Sequence, residues 1–587
     1  MRTASRCPSV GWSEPGCGAV LAGVACGAGA VFILYKWRSK YRARRKAERA
    51  RLKREASFRE VDTAVQQFKE KHPGTDYASI LSLSLEELSS RLRERSLSPE
   101  TVLHTYMGKA LELSRTLNCT TGFLLESRDH LPQVEQCTEG LLYGVPVSIK
   151  DNVAYKGHDS SCGVLSKLEQ PEPEDSVVVQ VLKKQGAIPF VKTNIPQGMM
   201  SYDCSNPIYG RSLNPCNLNK TPGGSSGGEG ALIGGGGSVL GLGTDIGGSI
   251  RIPASFCGIC GLKPTAGRFS TRGIQSCVSG QKSVLSSLGP MARDVEGLVL
   301  CMKALLCDHM FRLDPTVPPI PFNEEMYTSS KPLRIGYYES DGFHMPSPSM
   351  SRAVRETKER LQKAGHTLIP FTPPHLDYAI PELVLRGILA DGAATLLKSV
   401  TEGSIDPTVN VQIIPYKLPR FLKKIIAVLL KPLYPRVSSS FSALCGVSSI
   451  PDLWKQHVAV QDYCHNFISE WRKRDLDVLL CPMLGPAYNP NYCGKLMCTI
   501  SCVVLFNLLN FPAGVVPVTT VTEKDEEELQ DYRGIHGDPW DKLFIPALSG
   551  GQGLPIAVQC VALPWQDELC LRFMKEVQTL TAYNSKE

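Results

Sequence analysis

The chain has 587 residues, 42% of them hydrophobic and 21% charged, a composition that supplies a large core and excludes a disordered chain. Its net charge of +7 is local: between Lys36 and Arg54 eleven basic residues stand against Glu48 alone, a +10 block that leaves the remainder at −3. Basic charge confined to one block beside an apolar segment argues against nucleic acid as a partner, and 21 scattered cysteines in a chain too large to need disulfide staples fit a reducing cytosolic environment.

From Cys17 to Tyr35 there is no charged residue, and nineteen such residues match the ~20 needed to cross a bilayer core as a helix. A cleaved signal peptide would carry its basic residues before a shorter apolar run, whereas here they follow it. By the positive-inside rule the segment predicts a single-pass anchor with the body in the cytosol. Residues 37–76, dense in Arg, Lys, Ala and Glu to about Lys71, read as a solvated basic helix acting as a spacer. From 77 to 580, helical windows such as Ser84–Tyr106 and Ser351–Ala364 alternate with short apolar runs at Gly144–Ile149, Leu333–Tyr338 and Leu476–Leu480. That alternation predicts one α/β body with a mixed or parallel sheet. The division is thus 1–36 with the span at 17–35, 37–76, 77–580, and a tail at 581–587. The sequon Asn118-Cys119-Thr120 is unused if the body is cytosolic.

Between Pro407 and Pro451 there is no acidic residue. Within it, Leu418–Arg436 places Phe421, Leu422, Ile425, Ile426 and Leu429 on one helical face and Lys423, Lys424 and Lys431 opposite, the pattern of a helix lying on a membrane surface.

Gly223–Ser249 reads GGSSGGEGALIGGGGSVLGLGTDIGGS. Glycine at this density permits backbone of unusual φ/ψ close to a ligand, and embedded serines invite a nucleophile with the N–H groups of Ile246, Gly247, Gly248 and Ser249 as an oxyanion hole. A flexible linker would not contain Ala231, Leu232, Ile233, Val239, Leu240 and Leu242, which demand burial. A P-loop needs GK[ST] after the glycines, which is missing. The G-x-S-x-G elbow matches at Gly224–Gly228, but it must follow a strand, and Asn214–Pro222 reads as loop. Downstream histidines for a triad exist, among them His457, His465 and His536, none in a distinctive setting. Cys257 and Cys260, an isolated CxxC, read as packing.

GGSSGGEGALI followed by GLGTDIGGSIRIPASFCGICGLKPTAGRFS resembles the amidase signature, and YGVPVSIKDN at Tyr143–Asn152 resembles the segment bearing that family's lysine. NPIYGRSLNP from Asn206 and GLPIAVQCVALPWQDELCLRF from Gly553 extend the resemblance over nearly all of Leu83–Leu580. With the N-terminal span it points to the membrane-bound branch of the amidase-signature family. The resemblance implies a large twisted mixed β-sheet wrapped in helices. It assigns the catalytic lysine to Lys150, the bridging serine to Ser225 and the nucleophile to Ser249. It places oxyanion donors at Ile246, Gly247, Gly248 and Ser249, and a backbone contact to substrate at Met199. Met200 stands where the resemblance leads to an aromatic.

An amide nitrogen leaves only once protonated, so the site must take a proton from Ser249 and return one to nitrogen. A lysine does both if it rests neutral, which requires a pKa depression of roughly 3 units from ~10.4, and burial supplies shifts of that size. Ser225, both donor and acceptor, relays the proton. Asp151 follows the lysine, but on an extended segment it points to the other side. The apolar span and amphipathic helix point to a substrate dissolved in membrane. Fatty-acid primary amides and N-acylethanolamines, a homodimer and an endoplasmic-reticulum address are what the resemblance implies, and no cofactor or metal is indicated. A glutamine-hydrolysing amidotransferase subunit shares the signature but would lack the anchor; a catalytically silent membrane adaptor is the alternative from another class.

Overall fold

A computed structural model describes residues 17–401 and 403–581, with side chains described from Leu34 onward except at 35, 36 and 39. In chain order the strands are β1 (Thr120–Phe123), β2 (Pro146–Lys150), β3 (Ile188–Thr193), β4 (Ser205–Asn206), β5 (Gly210–Arg211), β6 (Leu240–Asp245), β7 (Cys260–Lys263), β8 (Ser287–Ala292), β9 (Arg334–Tyr337), β10 (Thr367–Pro370), β11 (Val478–Pro482), β12 (Ala513–Thr520) and β13 (Pro555–Ala562). Eleven of them form one sheet in the order β1-β3-β2-β6-β8-β7-β12-β13-β11-β9-β10, while β4 and β5 pair separately. The large sheet is mixed. β3, β2 and β6 run parallel, as do β11, β9 and β10, and the strands between them pair antiparallel. Every residue of β2, β3, β6, β8, β11 and β13 is buried, as expected of strands with helices on both faces. Polar side chains on such strands have to be bonded internally, and Ser148, Lys150, Thr193, Thr244, Asp245 and Gln559 are among those that mark the site.

The three predicted apolar runs are strands β2, β9 and β11, each within two residues of its expected ends. Ser351–Ala364 is the helix Pro348–Lys363, capped by Ser347. The window Ser84–Tyr106 is corrected to two helices, Leu85–Arg93 and Pro99–Leu117. The break has a local cause: Arg95 takes a left-handed conformation, Ser98 caps the second helix by accepting from Thr101 N–H, and Pro99 occupies its first turn.

The N-terminal helix runs from Cys17 to Lys71. The solvated-spacer reading is corrected for its second half, where Phe58, Val61, Val65 and Phe68 recur at helical spacing and are buried on the body. Phe58 meets Phe123 edge-on at 5.6 Å and Phe68 stacks on His104 at 4.4 Å. Arg51 donates to Ile208 O and Arg54 to Asn118 Oδ1, so the basic residues are partly used as anchors onto the fold. Asn118 also donates to Tyr209 O and Arg211 O, which leaves its side-chain amide engaged. Among the described residues no helix is long and apolar enough to cross a membrane; the side chains of 17–33, on which the expected span falls, lie outside them.

The basic amphipathic stretch forms the helix Arg420–Leu430. Phe421, Ile425, Val428 and Leu429 are exposed, at 66%, 49%, 71% and 68%, with Leu433 beyond the helix end at 70%. Two parts of the expected pattern are corrected. Leu422 and Ile426 are only half-exposed, and Lys423 points inward, where its Nζ donates to Leu444 O at 3.1 Å. The inward face is Lys423 and Ala427 against the helix Pro435–Ala443, whose Ser438 donates to Ala427 O. The apolar face is therefore the outward one.

Candidate active site

Lys150 ends β2 and is fully buried. Its Nζ lies 2.8 Å from Ser225 Oγ, 2.8 Å from Thr244 Oγ1 and 3.2 Å from Thr244 O. Among the described residues it makes no ion pair, and Asp151 is turned away as expected on a strand, accepting from Ser161 Oγ and Cys162 N–H. Burial without a counter-ion among the described residues pushes the Lys150 amine down to about 7, with Asp245 opposing from a distance. The same shift costs the fold roughly 4 to 5 kcal/mol below pH 7, where the unfolded chain would hold the proton freely. Thr244, invisible as a participant in the sequence reading, supplies two of the three oxygens around the amine. Thr244 O can only accept, so a neutral amine with two hydrogens leaves its lone pair to one of the two hydroxyls.

Ser225 follows Gly224 through a cis peptide bond and lies two residues before the helix Gly227–Gly234. The preceding Asn214–Pro222 is irregular, which disposes of the strand-borne elbow. Ser225 and Ser249 open on one cavity of about 430 Å³. Ser226 is committed elsewhere: its N–H donates to Ser249 O at 3.0 Å, and its hydroxyl accepts from Thr244 N–H and reaches Thr244 O. The adjacent serines therefore differ in what they touch, one the lysine and the cavity, the other the backbone of β6.

The segment Ile246–Ser249 turns from β6 into the helix Arg251–Phe256. Gly248 has φ +102°, and a Cβ there would stand 2.7 Å from Val503 Cγ2, so no other residue fits. Gly248 N–H donates to Asp245 Oδ1 at 2.8 Å and Ile250 N–H to Asp245 Oδ2 at 3.1 Å. Of the four expected oxyanion donors, Gly248 N–H is thus bonded to Asp245, while among the described residues the N–H groups of Ile246, Gly247 and Ser249 have no protein acceptor.

Asp245 and Arg251, also missed in the sequence, hold this turn. Arg251 is fully buried and donates to Asp245 through Nε and Nη2, to Asn507 Oδ1 through Nη2, and to Val503 O and Gln559 Oε1 through Nη1. Burial pushes the Asp245 carboxyl up, but the Arg251 guanidinium and the N–H donors outweigh it and hold it far below the ordinary range. The signal was available, since both charges flank IGGS in TDIGGSIR and charges so placed on a buried turn must pair.

Two arms of the cavity meet at Ser249. One is of mixed character, with Asn152, Thr271, Gln275, Ser276 and Asp314 among its walls beside Phe269 and Ile274. The other is narrower and apolar, lined by Met199, Met200, Ile388, Met497, Ile500 and Val504. Met199 sits at φ +57° after Gly198 and borders both arms. No histidine lines either arm, and among the described residues no cluster of His, Cys, Asp and Glu has the geometry of a metal site.

The site supplies a hydroxyl on a turn whose N–H groups have no protein acceptor among the described residues, a buried amine bonded to a second hydroxyl on the same cavity, and unlike arms on either side, the parts needed for acyl transfer. The family model described as Amidase matches residues 101–571. Fatty-acid amide hydrolase 1 of Sus scrofa is 51% identical over 559 residues, covering 95% of this chain and 96% of that protein. The vitamin D3 hydroxylase-associated protein of Gallus gallus is 57% identical over 450 residues, 76% of this chain and 96% of that one. A solved structure of a fatty acid amide hydrolase matches with a TM-score of 0.76 over 92% of this chain and 95% of that one, at 24% identity, a likeness of fold. On the family match and the identity over nearly the whole length, the chain belongs to the amidase family.

Proposed function

We propose that the chain is a membrane-bound serine hydrolase that cleaves fatty-acid amides, both N-acylethanolamines and primary amides, to free acid and amine or ammonia, and related esters as well. In this reading Ser249 attacks, Lys150 takes its proton through Ser225 and returns it to the leaving nitrogen, and Ile246, Gly247 and Ser249 N–H groups receive the oxyanion. The observation that carries it is the buried Lys150, without a counter-ion among the described residues and bonded to Ser225, which lines a cavity shared with Ser249. The apolar arm takes the acyl chain and the mixed arm the head group. Each methylene buried in that arm contributes ~0.8 kcal/mol. kcat/KM across straight-chain primary amides therefore rises with length, up to about fourfold per added carbon until the arm is filled. A preference for glutamine or acetamide over a long-chain amide would overturn the substrate class and favour the amidotransferase reading.

The membrane part of the reading keeps 17–35 as the anchor, 37–76 as the juxtamembrane helix, 77–580 as the catalytic body on the cytosolic side of the endoplasmic reticulum, and 581–587 as a tail. Phe421, Ile425 and Leu429, with Leu422 and Ile426 partly exposed beside them, form a second attachment. Protein lacking residues 1–36 is expected to sediment with anionic vesicles. Replacing Phe421 and Leu429 by Ser should then lower the partition coefficient at least tenfold, since exposed groups of this size gain ~1.5 kcal/mol or more each on burial in lipid. Unchanged sedimentation would remove the helix from the attachment. A homodimer completes the reading, supported by Ile450, Trp454 and Val458, exposed at i, i+4 and i+8 on the helix Ile450–Lys473.

A further inference from the structure

Glu229 is the one acidic side chain in the glycine-rich segment that the proposed chemistry leaves unused before Asp245. It lies in the first turn of the helix Gly227–Gly234, four residues after Ser225, and is fully buried. Its carboxyl reaches the strands on which the lysine is placed. Ser148 Oγ is 2.5 Å from Glu229 Oε2, and Thr193 Oγ1 is 2.8 Å from Oε1. Ser148 stands two residues before Lys150 on β2, hence on the same face, and Thr193 is the residue paired with Lys150 across β2 and β3. The third wall is Gly241 of β6, where a Cβ would come within 2.0 Å of Oε2, so the carboxyl fills the space that this glycine leaves.

Asp245 is the internal comparison. That buried carboxylate has a guanidinium in two-point contact, two backbone N–H donors and an amide around it. Glu229 has two hydroxyls and, among the described residues, no ion pair and no N–H donor. A charge so poorly served is costly to bury. The hydroxyl geometry accommodates the neutral acid instead. Ser148 Oγ also lies 3.3 Å from Leu240 O. Glu229 Oε2–H can therefore donate to Ser148, whose own hydrogen turns to Leu240 O, while Thr193 donates to Oε1, and every group is satisfied.

We propose that Glu229 is held as a neutral carboxylic acid and acts as the positioning residue that bolts the Ser225 turn to β2 and β3 without placing a negative charge beside Lys150. Ordinarily a buried acid so close to a lysine would pair with it and keep it as an ammonium. Here the two elements are joined through hydroxyls, so the fixation costs the amine nothing. The titratable groups facing Glu229 are Lys150 on β2 and Cys119 before β1. Burial pushes the carboxyl up to about 8 against the two hydroxyls and the lysine, and burial pushes Lys150 down to about 7. Both shifts run toward the uncharged form, as burial dictates.

This inference rests on Lys150 being the base only for its kinetic consequence. Infrared difference spectra of wild type against Glu229→Gln at pH 7 should contain a protonated-carboxyl C=O band, shifted in D₂O, that the variant lacks. The acid limb of the kcat/KM profile for an amide should stay within about 0.3 pH units in Glu229→Gln, whatever happens to its height, because Gln matches the neutral acid in charge. A carboxylate band in place of the acid band, or an acid limb displaced downward by about a unit or more as expected on removing a nearby charge, overturns the proposal. So does a Gln variant that fails to fold, since an amide reproduces the donor and acceptor of the neutral acid. If Lys150→Ala keeps the wild-type acid limb, it is the base assignment that falls, and the infrared band alone then decides the state of Glu229.

Discussion

Ser249→Ala is expected to abolish hydrolysis of amides and esters alike, with kcat/KM falling by on the order of 10⁵ or more and no loss of fold. The expectation comes from what each hydroxyl touches. An acyl-enzyme needs a nucleophile beside unpaired N–H donors, and Ser249 supplies one of those N–H groups itself, with Ile246 and Gly247 just before it. Ser225, bonded to Lys150 Nζ at 2.8 Å, is the relay in this reading, and Ser226 Oγ faces the backbone of Thr244. Alanine keeps the φ/ψ of the turn, and the clamp of Asp245 and Arg251 that holds the turn does not involve the Ser249 side chain. The measurement pairs steady-state kinetics with labelling by a fluorophosphonate. Labelling that survives in Ser249→Ala but is lost in Ser226→Ala would show that the wrong serine was chosen.

What could be seen in the sequence and what could not divides along a physical line. The glycine-rich run and the amphipathic helix were legible because each carries local signals, glycines where only glycine fits and an apolar face at 100° per residue, whereas Lys150 was assigned only through the resemblance of its segment to the amidase signature. The structure brings Lys150 and Ser225 into contact and puts Ser225, Ser249, Met199 and Ile246 on one cavity. The misses are long-range. Arg251 is bonded to Gln559, 308 residues away, and Thr244 completes the lysine's surroundings from a strand 94 residues on. No local pattern records such pairs. Two of the three corrected element readings have the same origin, the break within Ser84–Tyr106 being local. The helix expected to about Lys71 does end there, but whether Phe58, Val61, Val65 and Phe68 meet solvent or the body depends on a partner surface formed by Phe123 and His104. Likewise, Lys423 fits the polar face of an isolated helix, yet in the fold its ammonium reaches Leu444 O.

Lys150→Ala should separate amides from esters. The proton taken from Ser249 is needed again when the tetrahedral adduct collapses. An alkoxide leaves an ester without prior protonation, whereas an amine leaves only as it is protonated. Both reactions lose the base, and general acid–base assistance is commonly worth 10²–10⁴, but only the amide also loses the acid. For an amide and an ester sharing one acyl chain, the amide-to-ester ratio of kcat/KM should therefore drop by about 10² or more in Lys150→Ala. Ser225→Ala should behave similarly, since the amine then has no hydroxyl through which to reach the leaving nitrogen, while Ser226→Ala should be mild. The wild-type pH profile follows from the same amine. Its pKa in the fold is lowered to about 7 by burial, so below that value it is an ammonium that cannot accept the serine proton. Amide kcat/KM should accordingly rise as pH passes through about 7 and level off above, and this acid limb should vanish in Lys150→Ala. Equal losses for amide and ester, or a limb that persists without the lysine, would remove Lys150 from proton transfer and leave it a structural role beneath Ser225.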